Sequence, residues 1–237
     1  MRSAETKIPG LARYVAQFFS KNLLYIKYSM RKNPLVLFIM LTTLLIFSFQ
    51  EIQAQFSTQG KDFWFALMPN ASTSASCKVS ITCDVATSGV ISMPGQTWSQ
   101  SFTILPNSTF QIVVPSGNNP IILNDQVVMP NAIHIVAQDP VSVYALNAHM
   151  ASTDAAIILP TPVLGNEYYV SAYIPLPGTE SDMLIVGVED NSFISITPSV
   201  NTAGGNTAGI PFNITLDQGE VYLIKSNTCP TIACDLT

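Results

Sequence analysis

Beyond residue 60 the apolar residues come in short clusters, rich in β-branched and aromatic types and bounded by Gly, Pro, Asn or Asp. That punctuation predicts strands at residues 63–68, 78–82, 101–105, 110–114, 133–136, 141–146, 155–159, 168–173, 183–188, 193–197, 212–215 and 221–225. Several alternate strictly. In Val79-Ser-Ile-Thr82 and Ile194-Ser-Ile-Thr197 every second residue is apolar, so one face meets a core and the hydroxylated face meets water. Pro106, Pro115, Pro140, Pro160 and Pro175 fall at the predicted strand borders, where a missing N–H harms no ladder. Asn107-Ser108 and Asp217-Gln-Gly219 read as hairpin turns between neighbouring runs. Phe63, Trp64 and Phe65 are consecutive, so they point to both faces of a strand and serve as core anchors rather than as a sugar-stacking platform.

Many short strands without a helical period predict an all-β fold of antiparallel strands, built as sandwich-type units in tandem, with a β-propeller as the alternative. The order of segments recurs. The runs beginning at Phe63, Val79, Phe102 and Phe110 correspond to those beginning at Leu184, Ile194, Phe212 and Val221, which suggests a duplicated multi-strand unit. The expected organisation is a first β unit at 55–180 and the start of a second, incomplete unit at 181–237. An unfinished sheet leaves an open edge, so the chain is expected to be part of a larger multidomain protein.

The leading segment has different chemistry. Arg31 and Lys32 precede an apolar run at residues 35–47, which ends in a polar stretch closing with Ala54 before Gln55. This is the layout of a helical signal peptide at 30–54, cleaved between Ala54 and Gln55. The run is short against the roughly 20 residues of a spanning helix, and a retained anchor is the second reading. Met30 stands directly before the basic pair, so residues 1–29 are an upstream extension that is not expected to be translated; a short amphipathic helix is its other reading. Membrane contact is then confined to export, and the folded part is secreted or displayed at the cell surface.

Charge supports that placement. Only 11% of residues are charged, against about 25% in ordinary soluble domains. From Gln55 onward, three bases against thirteen acids leave a net charge of 3 − 13 = −10. A surface this acidic repels phosphate backbones and excludes nucleic acid as a partner.

The cysteines Cys77, Cys83, Cys229 and Cys234 all follow the leader, as suits an oxidising compartment. Cys77 and Cys83 flank one predicted strand, roughly 20 Å apart in extended chain, and cannot bond each other. Cys229 and Cys234 enclose a loop-like Pro-Thr-Ile-Ala, where a local disulfide is easy. The spacings depart from the paired CxxC of zinc knuckles.

Catalytic readings are weak. His134 alternates with Ile133 and Ile135 and reads as an outward strand residue. His149, in a polar connection with Asp154 nearby, is the best candidate for a general base, and a secreted hydrolase using His149 and Asp154 is the alternative function. No HxH or HExxH spacing, Gly-x-Ser-x-Gly elbow or phosphate-binding glycine loop is present, since Gly204-Gly205 lies in a polar loop. Glu180, Asp182, Glu189 and Asp190 lack the order of a calcium loop and read as a solvated surface. No cofactor or metal site is expected. Asn70, Asn107 and Asn213 head N-glycosylation acceptor patterns, which matter only in a eukaryotic host.

Gly60-Lys-Asp-Phe-Trp64, Asp139-Pro-Val-Ser-Val-Tyr-Ala-Leu-Asn147, Ser152-Thr-Asp-Ala155 leading to Leu159-Pro160, Leu164-Gly165 before Tyr168-Tyr169, and Val188-Glu-Asp-Asn-Ser192 before Ile196-Thr-Pro198 resemble the IgGFc-binding protein N-terminal domain family. The resemblance runs from about Gly60 to the end. It implies a secreted, non-catalytic interaction domain, of a kind found in a mucus-associated animal protein and in large secreted proteins of Bacteroidetes-type bacteria. No binding residue of the family maps onto these positions, so immunoglobulin binding is not carried over; the resemblance lacks the family's C-terminal part, including any sorting signal. The expected function is adhesion or recognition of an extracellular protein or glycan.

Overall fold

The computed structural model describes residues 57–70, 75–150, 152–172, 178–228 and 236. The leader, the Ala54–Gln55 junction, Cys229 and Cys234 lie outside them. The described strands are β1 (Gln59–Phe65), β2 (Ser76–Cys83), β3 (Thr87–Met93), β4 (Trp98–Ile104), β5 (Ser108–Val113), β6 (Val128–Met129), β7 (Ile133–Ala148), β8 (Thr153–Ile158), β9 (Asp182–Val186), β10 (Ser192–Ile196), β11 (Phe212–Leu216) and β12 (Val221–Lys225). Among the described residues the helical content is single 3₁₀ turns, and none of these helices is long and apolar enough to cross a membrane. The ladders between these strands are antiparallel, as the alternation of the sequence requires.

The largest sheet is organised around one long hairpin. β2 and β3 run in line, and β4 and β5 run back beside them in a single register: Thr87 faces Ile104 and Cys83 faces Ser108. The turn between the arms is Pro94-Gly95-Gln96, closed by the Thr97 N–H donating to Pro94 O, with Thr97 at φ 55°. The hairpin expected at Asn107-Ser108 therefore does not form. Asn107, at φ 56°, donates its N–H to Cys83 O at 2.9 Å. That bond carries the chain onward along β2 instead of folding it back on β4.

β7 joins two of the expected strands into one of 16 residues. Its first half lies between β1 and β3, and its second half between β8 and β2. Against β1 the register slips: Val141 faces Gly60 while Val136 faces Asp62, so β7 carries a bulge at residues 137–140. Pro140 sits within this bulge rather than at a strand border. A residue without an N–H is tolerated in a central strand there because the ladder is already interrupted. Alternation survives the bulge: Ile133, Ile135, Ala137, Val141, Val143 and Ala145 are all buried. They meet Phe63, Phe65, Val79, Ile81, Ile91, Phe102 and Ile104 in one cluster. The sheet thus folds over a single core, barrel-like, and not into the radial blades of a propeller. β3 escapes the strand pattern because Gly89 interrupts it. A Cβ there would stand 2.2 Å from Val136 O and 2.4 Å from the Phe102 ring, so glycine is what lets β3 approach β7.

A second layer covers the outer face of β1. β12 is the middle strand of a three-stranded sheet, flanked by β6 and β9. Val221 and Leu223 face Trp64, Ile122 and Ala132. Tyr222 and Ile224 face the opposite way, into a cluster with Ile196, Leu216 and the inner residues of the β10–β11 pair. Because both edges of β12 are already paired, one with β6 and the other with β9, it cannot also be the hairpin partner of β11. The turn expected at Asp217-Gln-Gly219 instead passes the chain from one layer to the next, with β11 paired to β10. Residues 164–172, expected to lead into a strand at 168–173, form none: Tyr168 and Tyr169 lie exposed and no strand partner pairs with them.

Candidate functional site

The surface that stands out is the outer side of β8. In an antiparallel pair, alternate residues exchange both main-chain bonds and the residues between them point away. The His149 N–H donates to Ser152 O at 2.9 Å, which makes 149 and 152 a bonded pair at the mouth of the β7–β8 hairpin. Counting along the register, Asp154, Ala156 and Ile158 bond to Asn147, Ala145 and Val143, whereas Thr153, Ala155 and Ile157 turn their N–H and C=O groups away from β7. Residues 153–157 are all exposed. On the sheet face Ile157 lies beside Tyr144, each 42% exposed. Leu159 is also exposed, and farther along the chain Tyr169 is 91% exposed.

The proposed acid–base pair sits at this edge. His149 closes the hairpin through its backbone, and Asp154 is an exposed residue of β8 across from Asn147. The other histidine, His134, is held by its ring. His134 Nε2 meets Asp62 Oδ2 at 2.9 Å, Thr161 donates to Asp62 Oδ1 at 2.6 Å, and the His134 ring stacks on Trp64 with centroids 3.8 Å apart. His134 does point outward, as its alternation requires, and Asp62 fixes it against β1. Sequence reasoning did not connect Asp62 with His134, although both occupy outward positions of strands. These bonds bring Gly60–Trp64 and Leu159–Pro160, two of the motifs that carry the family resemblance, into contact.

A similar knot ties two other motifs. The Asn147 amide donates to Met68 O at 2.7 Å, and Asn70 donates to Asn147 O and Ser152 O. Asn70 is thereby held inside the structure, while Asn107 and Asn213 are at exposed positions. Cys77 and Cys83 lie on the same strand, buried and unpaired. Burial pushes the Cys77 thiol up to about 12, and burial, with Asp84 beside it, raises Cys83 as well. Both are packing residues rather than nucleophiles.

The acidic residues divide into two groups. Asp190 accepts the Gln218 N–H in a turn, whereas Glu180 pairs with Lys225 Nζ at 3.2 Å and Asp125 accepts the Lys225 N–H. Among the described residues no group of three His, Cys, Asp or Glu is arranged to hold a metal ion. Asp182 Oδ1 is buried there without a hydrogen-bond partner. Burial raises its pKa, opposed by Lys225 and reinforced by Glu180 and Asp125. A carboxyl whose folded-state pKa is raised contributes stability that is fully present below its unfolded pKa and lost as pH rises through the folded value. Asp182→Asn is therefore expected to raise Tm at pH 7. The gain should vanish below the ordinary aspartate range, which thermal melts across pH would show.

Comparison with known proteins bears on the same region. No curated protein and no solved structure matches the chain. Residues 154–237 match the family model described as IgGFc binding protein; the match begins within β8, extends past β12 and takes in the motifs from Leu159 onward, while those at 60–64 and 139–147 precede it.

Proposed function

We propose that this chain is a secreted or cell-surface binding module without catalytic activity, which recognises an extracellular protein or glycan as part of a larger multidomain protein. The observation that carries this reading is the exposed β8 edge with Ile157 and Tyr144 beside it and Tyr169 beyond, at the start of the segment that matches the family model. Exposed apolar and aromatic groups on a rigid sheet are suited to contact another molecule. In this reading residues 30–54 direct export, with cleavage between Ala54 and Gln55. Residues 55–180 and 181–237 are successive β units, and Cys229 and Cys234 pair.

The family description names immunoglobulin Fc, so the Fc fragment of immunoglobulin G is the first ligand to test, followed by a panel of extracellular proteins and a glycan array. Saturable binding in surface plasmon resonance is expected for at least one of them. Hydrolysis of chromogenic ester, glycoside or peptide substrates that disappears in His149→Ala would instead establish the hydrolase centred on His149 and Asp154.

A further inference from the structure

An open sheet edge presents a row of main-chain donors and acceptors that only water or another extended chain can satisfy. Along β8 that row is formed by Thr153, Ala155 and Ile157, and among the described residues none of these groups meets a partner. The adjoining edge of the same sheet is guarded. Residues 160–163 lie along β1, the Pro160 side chain fills the space over Gly60, and Thr161 bonds to Asp62. β8 carries none of the usual guards, for it has no proline, lysine or bulge, and its one charge is Asp154.

We propose that β8 accepts an additional strand, an extended segment of another protein with alternating apolar side chains and a net positive charge. The proposal rests on the binding-module reading and names its contact. Main-chain pairing supplies affinity in such additions, and alternate side chains supply selectivity. Here alternate residues of the incoming strand would lie beside Ala155 and Ile157, continuing the apolar row that Ile157 forms with Tyr144. The sign of the charge follows from the surroundings. Residues 55–237 carry thirteen acids and three bases, so a second copy of this chain would bring like charge against like, whereas a basic segment is attracted.

The test uses a phage-displayed random peptide library panned on the protein, with Ala155→Pro and Ile157→Lys as variants. Proline at 155 removes an outward N–H and no bond to β7; lysine at 157 adds a positive charge on an already exposed side chain. Enriched peptides are expected to alternate apolar residues with Lys or Arg and to slow amide exchange at Thr153, Ala155 and Ile157. Each variant, with Tm retained, should weaken them by at least about tenfold. Enrichment that is equal on the wild type and Ala155→Pro, protection elsewhere on the chain, or a dimer that Ala155→Pro dissolves would overturn the proposal. A ligand found by plasmon resonance that binds both variants unchanged would defeat the strand addition alone; the absence of any ligand would defeat the module itself.

Discussion

Trp64→Ala is expected to cost about 3–5 kcal/mol, the usual range for removing a large buried aromatic, and to lower Tm by roughly 10 °C. Trp64 is only 8% exposed although it lies on the outer face of β1. Its neighbours Phe63 and Phe65 belong to the core of the large sheet, whereas Trp64 packs against Ile122, Ala132, Val221 and Leu223. One three-residue run therefore serves two cores. Removing the indole opens a cavity between the layers and leaves the His134 ring without its stacking partner. The loss should be uneven, with amides of β9 and β12 losing exchange protection before those of β2 and β7. Trp64→Phe, which keeps a ring in the gap, should cost less than half as much. Uniform loss of protection across both sheets would show that the indole does not act as a pin between them.

The same run illustrates what could be read in advance. Three adjacent aromatics had to face both sides of a strand, and they do, because the pleat allows nothing else. Period-2 alternation likewise placed Val79 and Ile81 inward and left Ser80 and Thr82 outward. Turn chemistry was less reliable. Asn107 has turn chemistry, and it does adopt positive φ. Local chemistry, however, specifies only that the chain bends, and the N–H bond to Cys83 decides where it goes next. The true hairpin turn, Pro94-Gly95, has an ordinary turn signature, but β3 beside it, with Ser and Gly in its interior, lacks the apolar run that marks a strand. In the candidate site, the exposure of β8 follows from tertiary neighbours that no local pattern encodes. Ala155, Ala156 and Ile157 would suit a buried strand equally well. The pairing of Asp62 with His134 spans 72 residues and depends on β1 lying beside β7, which alternation alone cannot specify.

Leu223→Ala is expected to destabilise by about 2–5 kcal/mol, while Phe193→Ala should stay within about 0.5 kcal/mol of the wild type. Leu223 lies on the middle strand of the second layer and Phe193 on the β10–β11 pair packed against it; the aromatic one has the larger side chain, so size alone predicts the opposite order. Burial reverses it. Leu223 is fully buried on the middle strand of its sheet, in contact with the Trp64 cluster, whereas Phe193 is 70% exposed on the outer face of β10. β12 has no solvated face: Val221 and Leu223 fill one side, and Tyr222 and Ile224 the other. A cavity at Leu223 therefore has covered strands on every side and cannot collapse cheaply. Urea melts of the two variants would measure the difference. If Leu223→Ala cost no more than Phe193→Ala, β12 would not be the shared wall between two cores.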